Sequence, residues 1–245
     1  MKNVFEYDFE IQYADIDSKN HLTDYALLKY LQEVATIHAS ALNYGLYDTP
    51  RIRTVWLLLD WKLQVISRPA WHQKIHIKTW PSKNDLSSCY RDFEVYDDTG
   101  KCICIATSKW VLFNIDTHKI NRFTSQYQEA FPLYNKRVFN SEIEKLKEPD
   151  HFDCQTNYTI LRRDIDTNLH VNNLNYLLFA YEALPKEVFD NSDFENIDIM
   201  YKKQCLLGDQ IICFYTKISD NEHIITIKSH DLKILHSIIK LKGRK

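Results

Sequence analysis

The sequence is short of the residues that loosen or break a chain, with 4 Gly and 6 Pro among 245 residues. So small a supply excludes a collagen-like or linker-like chain, and no stretch is of low complexity. Charge of one sign is also lacking, since 31 Lys and Arg face 33 Asp and Glu. A formal net charge of -2 leaves no broad basic field of the kind a nucleic-acid or membrane-surface binder needs. The basic end, Leu241 to Lys245, reads as a solvated tail. No apolar run is long enough to span a bilayer, and no apolar leader precedes the strand pattern that starts near Phe5, so a soluble, cytoplasmic protein is expected. The cysteines at 89, 102, 104, 154, 205 and 213 form no C-x-x-C pair, and no His/Cys spacing of a zinc site occurs. Reduced thiols, no metal and no cofactor are therefore expected.

What is present is a core-forming composition, 44% hydrophobic and 13% aromatic, and an internal repeat. Asp15-Ile16-Asp17-Ser18-Lys19-Asn20-His21-Leu22-Thr23-Asp24 aligns without a gap on Asp164-Ile165-Asp166-Thr167-Asn168-Leu169-His170-Val171-Asn172-Asn173. The same offset carries Leu28 onto Leu177, Tyr30 onto Phe179 and Glu33 onto Glu182. Each copy runs into a helix pattern: Leu27, Leu28, Leu31, Val34, Ala35 and His38 recur at spacings of three and four, as do Leu174, Leu177, Leu178 and Tyr181. Thr23 or Asp24, and Asn172 or Asn173, are the natural N-caps, with stops near Gly45 and at Pro185. Four strands are expected after each helix: 54–66, 73–80, 89–96 and 101–113, then 197–206, 210–218, 222–229 and 232–241. A long apolar-faced helix followed by an antiparallel sheet buries its stripe by lying across that sheet, which is the α+β hotdog arrangement. The expected organisation is a tandem double hotdog: 1–125, a charged and poorly periodic linker at 126–150, and 151–245. Unpaired sheet edges are templates for pairing, so the two halves are expected to imitate a dimer, and a homodimer of the fused chain is a further expectation.

Asp166, Asn168 and His170 alternate along an extended stretch, so their side chains can converge. They sit before a helix start, whose free N–H groups and dipole suit the oxyanion of a tetrahedral acyl intermediate. The first copy keeps Asp17 and His21 but has Lys19 where Asn168 stands, which puts the chemistry in the second copy.

The longer run Arg163-Asp164-Ile165-Asp166-Thr167-Asn168-Leu169-His170-Val171-Asn172-Asn173-Leu174-Asn175-Tyr176 resembles the signature of the acyl-acyl carrier protein thioesterases, a double hotdog family that releases fatty acids. Met200-Tyr201-Lys202-Lys203-Gln204-Cys205 resembles that family's second motif. Arg53 to Trp56, Arg68 to Trp71 and Lys78 to Pro81 extend the likeness over nearly the whole chain.

The resemblance implies Asp166, Asn168 and His170 at the thioester, and Gln204 and Cys205 beside them. Val171, Asn172, Asn173, Arg163 and Trp56 are then expected to bind substrate. It also implies an acyl chain held in the N-terminal half, between the helix from Asp24 to Tyr44 and the strand from Val55 to Val65, and acyl carrier protein as partner. Arg162, Arg163, Lys202 and Lys203 would complement that acidic partner. The family's acidic residue falls on Gln204, which cannot act as a base, so Asp166 is expected to take that role. A nucleophilic Cys205 is disfavoured because neighbours on a strand face opposite sides and only one reaches His170. Two rival expectations are a coenzyme A thioesterase of the hotdog class and a catalytically impaired acyl or carrier binder.

Overall fold

The computed structural model describes residues 3–191 and 193–243; Met1, Lys2 and the tail residues Arg244 and Lys245 lie outside them. Two compact units divide the chain, Met1–Leu59 with Gln64–Glu142, and Asp60–Leu63 with Ile143–Lys245. The first contains β1 (Phe5–Glu10), α1 (Asp24–Ala41), α2 (Thr49–Ile52), β2 (Thr54–Val65) apart from Asp60–Leu63, β3 (Lys74–Asn84), β4 (Cys89–Asp97), β5 (Cys102–Asn114), β6 (Lys119–Ile120) and α3 (Ser125–Ala130). Its strands run in the order β1-β3-β4-β5-β2, with β6 on β5. The second contains β7 (Cys154–Thr159), α4 (Asn175–Glu182), α5 (Lys186–Asn191), β8 (Phe194–Tyr201), β9 (Gln210–Ser219), β10 (Glu222–Ser229) and β11 (Leu235–Gly243). Their order, β7-β9-β10-β11-β8, repeats the first sheet strand for strand. Each unit is a hotdog, and the fold is α+β.

Thr23 caps α1, its hydroxyl accepting from the Ala26 N–H. The stripe Leu27, Leu28, Leu31, Val34 and Ala35 is buried, and α1 packs on β1 and β3. Burial of each large apolar side chain contributes about 1.5–3 kcal/mol, which holds the helix to the sheet. After α1 the chain turns at Gly45, where a Cβ would come within 2.8 Å of the Ser40 backbone, so only glycine fits.

The second half departs from expectation at two places beside the motif, apart from the added helix α5 after Pro185 and the later start of β11. Helix α4 starts at Asn175 rather than just after Asn172 or Asn173, because the Asn172 side chain caps an intervening turn by accepting from the Leu174 N–H at 3.1 Å. Strand β8 ends at Tyr201, not at Leu206, so Gln204 and Cys205 lie on irregular chain.

The charged segment expected as a linker carries α3 and is otherwise irregular, yet it is pinned down. In the first unit the Trp80 indole N–H donates to the Lys136 carbonyl at 2.8 Å, and the buried Asp92 carboxylate accepts from Arg137 at 3.2 Å and from the Val138 N–H at 3.0 Å. In the second unit Leu146 is buried against Met200 and Ile238, while Glu144 and Glu148 pair with Lys240 and Lys228. Among the described residues no helix is long and apolar enough to cross a membrane.

Candidate active site

The two copies of the motif fold alike, hydrogen bond for hydrogen bond. Asp17 and Asp166 each donate a backbone N–H to the carbonyl of His21 and His170, both at 2.8 Å. Their carboxylates close the loop from within: Asp17 Oδ1 accepts from the Lys19 and His21 N–H groups at 2.8 Å each, and Asp166 Oδ1 from Asn168 at 2.8 Å and His170 at 3.5 Å. Asn20 and Leu169 take the same left-handed conformation, φ 61° and 63°. That is uncommon for a leucine, and Leu169 is also three-quarters exposed. The turn predisposes both copies to present a histidine, so the motif alone does not separate them.

The facing segment does. In the second unit the Val171 N–H donates to the Cys205 carbonyl at 3.0 Å, which sets residue 204 opposite residue 170. His170 Nε2 and Gln204 Nε2 lie 3.1 Å apart, with Gln204 exposed. In the first unit the Leu22 N–H donates to the Pro69 carbonyl at 2.8 Å, so Arg68 and Pro69 stand where Gln204 and Cys205 do. Arg68 donates instead to Asp24 Oδ1 at 2.5 Å and to the Leu22 carbonyl at 3.3 Å. Asp24 aligns with Asn173, so the second copy cannot form that ion pair.

Asp166 and His170 are partly buried at the turn, and Asn168 is exposed beside them. Cys205 is fully buried and its thiol is pushed up to about 12 by burial, a shift the Tyr176 hydroxyl opposes. Tyr176 closes the quoted motif run but is not among the expected site residues, although its side chain reaches Cys205. The sequence signal for it is its place at the end of that run, where the first copy has Leu27.

Val171 is buried, and Asn173 offers its carbonyl to the Tyr201 hydroxyl at 3.0 Å. Asn172 binds within its own turn: its side chain and carbonyl accept from the Leu174 and Asn175 N–H groups at 3.1 and 2.9 Å. Two N–H groups expected to be free for an oxyanion are therefore already committed. Arg163 is exposed near Tyr158, whose hydroxyl donates to Asp164 at 2.9 Å, while Arg162, Lys202 and Lys203 are exposed. Trp56 lies in the first unit, against Phe123 and Phe131 and beside the cluster of Ala39, Tyr44 and Phe131. Its buried indole N–H has no partner among the described residues. No group of His, Cys, Asp and Glu among the described residues could hold a metal ion.

Two hotdogs in one chain, alike in strand order and in their motif turns, define the tandem hotdog class. The chain belongs to the acyl-ACP thioesterase family: residues 2–131 match that family's N-terminal domain and residues 147–245 its C-terminal domain. It is 27% identical to an oleoyl-acyl carrier protein thioesterase of Arabidopsis thaliana, over 91% of this chain and 66% of that protein. It thus spans between about half and two thirds of the length of the plant relatives it matches, from 52% to 66%. In fold it is similar to an acyl-ACP thioesterase from Bacteroides thetaiotaomicron, with TM-score 0.88, 21% identity and 99% and 98% of the two chains covered. It is equally similar to a 12:0-ACP thioesterase from Umbellularia californica, with TM-score 0.88, 22% identity and 100% and 98% covered.

Proposed function

We propose that the protein hydrolyses acyl thioesters of acyl carrier protein, releasing free fatty acid, at the turn that carries Asp166, Asn168 and His170. The observation that carries this reading is the contact of His170 with Gln204 in the second unit, against the Arg68–Asp24 ion pair in the first. One copy leaves its histidine beside an uncharged, exposed amide; the other ties the matching side chain back to its own helix.

The reaction follows from those groups. Asp166 takes a proton from water, whose oxygen attacks the thioester carbonyl carbon. Asn168 donates from its amide to the developing oxyanion, replacing the helix N–H groups already in use. The C–S bond breaks, and the proton reaches the leaving thiolate through His170, giving a thiol and a carboxylic acid. Gln204 orients the water and holds the imidazole; its amide has no proton-accepting role. Cys205 supplies no nucleophile, since a buried thiol raised to about 12 offers almost no thiolate near neutrality.

Charge complementarity supports the carrier as partner. Arg162, Arg163, Lys202 and Lys203 are exposed on the segments that carry the turn and Gln204, as are Leu161, Leu169, Leu206 and Leu207, a cationic and apolar set of side chains suited to an acidic protein. The acyl chain is assigned to the first unit, with Trp56 on its wall. A cytoplasmic place is part of the proposal, although the Arabidopsis relative is named as chloroplastic, and fractionation of the producing cells tests it.

The deciding experiment measures free-thiol release from matched acyl-carrier and acyl-coenzyme A substrates by the wild type, His170→Ala and Gln204→Glu. Faster turnover of the carrier substrate is expected, with a loss of about 10²- to 10⁴-fold for His170→Ala and equal or higher activity for Gln204→Glu. Faster turnover of the coenzyme A substrate would reassign the substrate. Carrier binding with no thiol release would make this a binding protein, as Gln204 in place of an acid also allows.

A further inference from the structure

We infer that Tyr176 is a positioning residue of this site: its phenol clamps Cys205 and thereby holds Gln204 against His170. The inference rests on the proposed hydrolase site. Tyr176 is the second residue of α4 and is buried. Its hydroxyl oxygen accepts the Cys205 backbone N–H at 3.0 Å, and the same hydroxyl faces the Cys205 thiol. The Cys205 carbonyl accepts the Val171 N–H at 3.0 Å, so both backbone groups of residue 205 are fixed. His170 and Gln204 each stand one residue before an end of that bond. Their 3.1 Å approach is therefore set by bonds made at the next residue along.

No sheet ladder does this work, because β8 has already ended at Tyr201. Residues 202 and 203 are tied to His236, whose carbonyl accepts from the Lys202 N–H at 2.9 Å and whose Nδ1 meets the Lys203 carbonyl at 2.8 Å. Beyond them the clamp is the next support. The Tyr176 ring is itself steadied edge-on against Tyr201 at 5.6 Å.

The first unit supplies an independent observation. Pro69 occupies the place of Cys205 and has no N–H to hold, and Leu27, which aligns with Tyr176, has no hydroxyl to hold it. Both halves of the clamp are missing together in the copy whose facing residue, Arg68, turns away to Asp24.

Tyr176→Phe keeps the ring and deletes the acceptor. In the full-length protein kcat is expected to fall about 10- to 100-fold with KM within about twofold, as for a reacting group moved by an ångström or less. In a Gln204→Ala background the same substitution is expected to lower kcat by less than about threefold, because the group it positions is already gone. In the wild type, amide hydrogen exchange at Cys205 is expected to be slow, a readout that does not depend on any variant folding. Multiplicative losses in the double variant, or a rapidly exchanging Cys205 amide, overturn the inference. So does a folded Tyr176→Phe with wild-type kcat beside an inactive His170→Ala, and that result leaves the site reading standing. A wild-type kcat in His170→Ala overturns the site reading and this inference with it.

Discussion

The repeated turn allows the two jobs of Asp166 to be separated, because Asp17 does one of them alone. Asp17 Oδ1 accepts two backbone N–H groups at 2.8 Å, whereas Asp166 Oδ1 accepts one at 2.8 Å and a second only at 3.5 Å. Asparagine keeps a carbonyl oxygen for these bonds; alanine does not. Loss of a side-chain cap of this kind costs about 0.5–2 kcal/mol. Asp17→Ala should therefore lower the melting temperature by about 2–4 °C, Asp166→Ala by somewhat less, and either Asp→Asn change hardly at all. Activity should run the other way. Asp166→Asn is expected to lower kcat about 10²- to 10⁴-fold through loss of the base, while Asp17→Asn leaves it unchanged. Thermal melts and thiol-release rates on the four variants read both orders. Wild-type kcat in Asp166→Asn would refute the base assignment, and an equal loss in Asp17→Asn would refute the asymmetry of the copies.

Cys205→Ala should keep kcat close to wild type, and a thiol-alkylating reagent at about pH 7.5 should not inhibit the folded enzyme; inactivation by either would restore a nucleophilic role to the thiol. Asp198 on β8 is pushed up to about 6 by burial, against the pull of Lys62 and Lys240. Between about pH 4 and 6 the folded chain then keeps a proton that the unfolded chain has lost, so stability falls as pH rises through that window and levels off above it. Asp198→Asn should remove this dependence and stabilise the protein at neutral pH by about 1–3 kcal/mol, read from urea unfolding at several pH values. An unchanged pH profile in that variant would show that Asp198 is not the group responsible.

Much of this was legible in the residue order. The repeat around Asp15 and Asp164 predicts two like units, and strand orders and turn bonds agree with it. Periodicity placed α1 because its stripe is a single buried face. It misplaced the start of α4 because Asn172 is a capping residue in composition but caps a separate turn. Cys205 and Leu206 extend the expected strand too far, since an apolar pair reads the same whether it lies in a sheet or on a loop with Cys205 buried and Leu206 exposed. The proposed asymmetry of the copies was partly visible in Lys19 against Asn168. The pairing of Arg68 with Asp24, and of Gln204 with His170, was not. Those matches depend on which backbone carbonyl Leu22 and Val171 meet, which spacing along the chain does not encode.

The segment from Tyr134 to Glu148 has a practical bearing on how the protein can be dissected. Its charge invites a cut at 125 or 150, but either cut removes a lid from one sheet. A second-half fragment beginning at 151 loses Leu146, baring Met200 and Ile238, and loses Glu148 from Lys228 and Glu144 from Lys240, which keeps Glu222. A first-half fragment ending at 125 strips Arg137 and Val138 from the buried Asp92. Division between Glu142 and Ile143 sends each lid away with the sheet it covers.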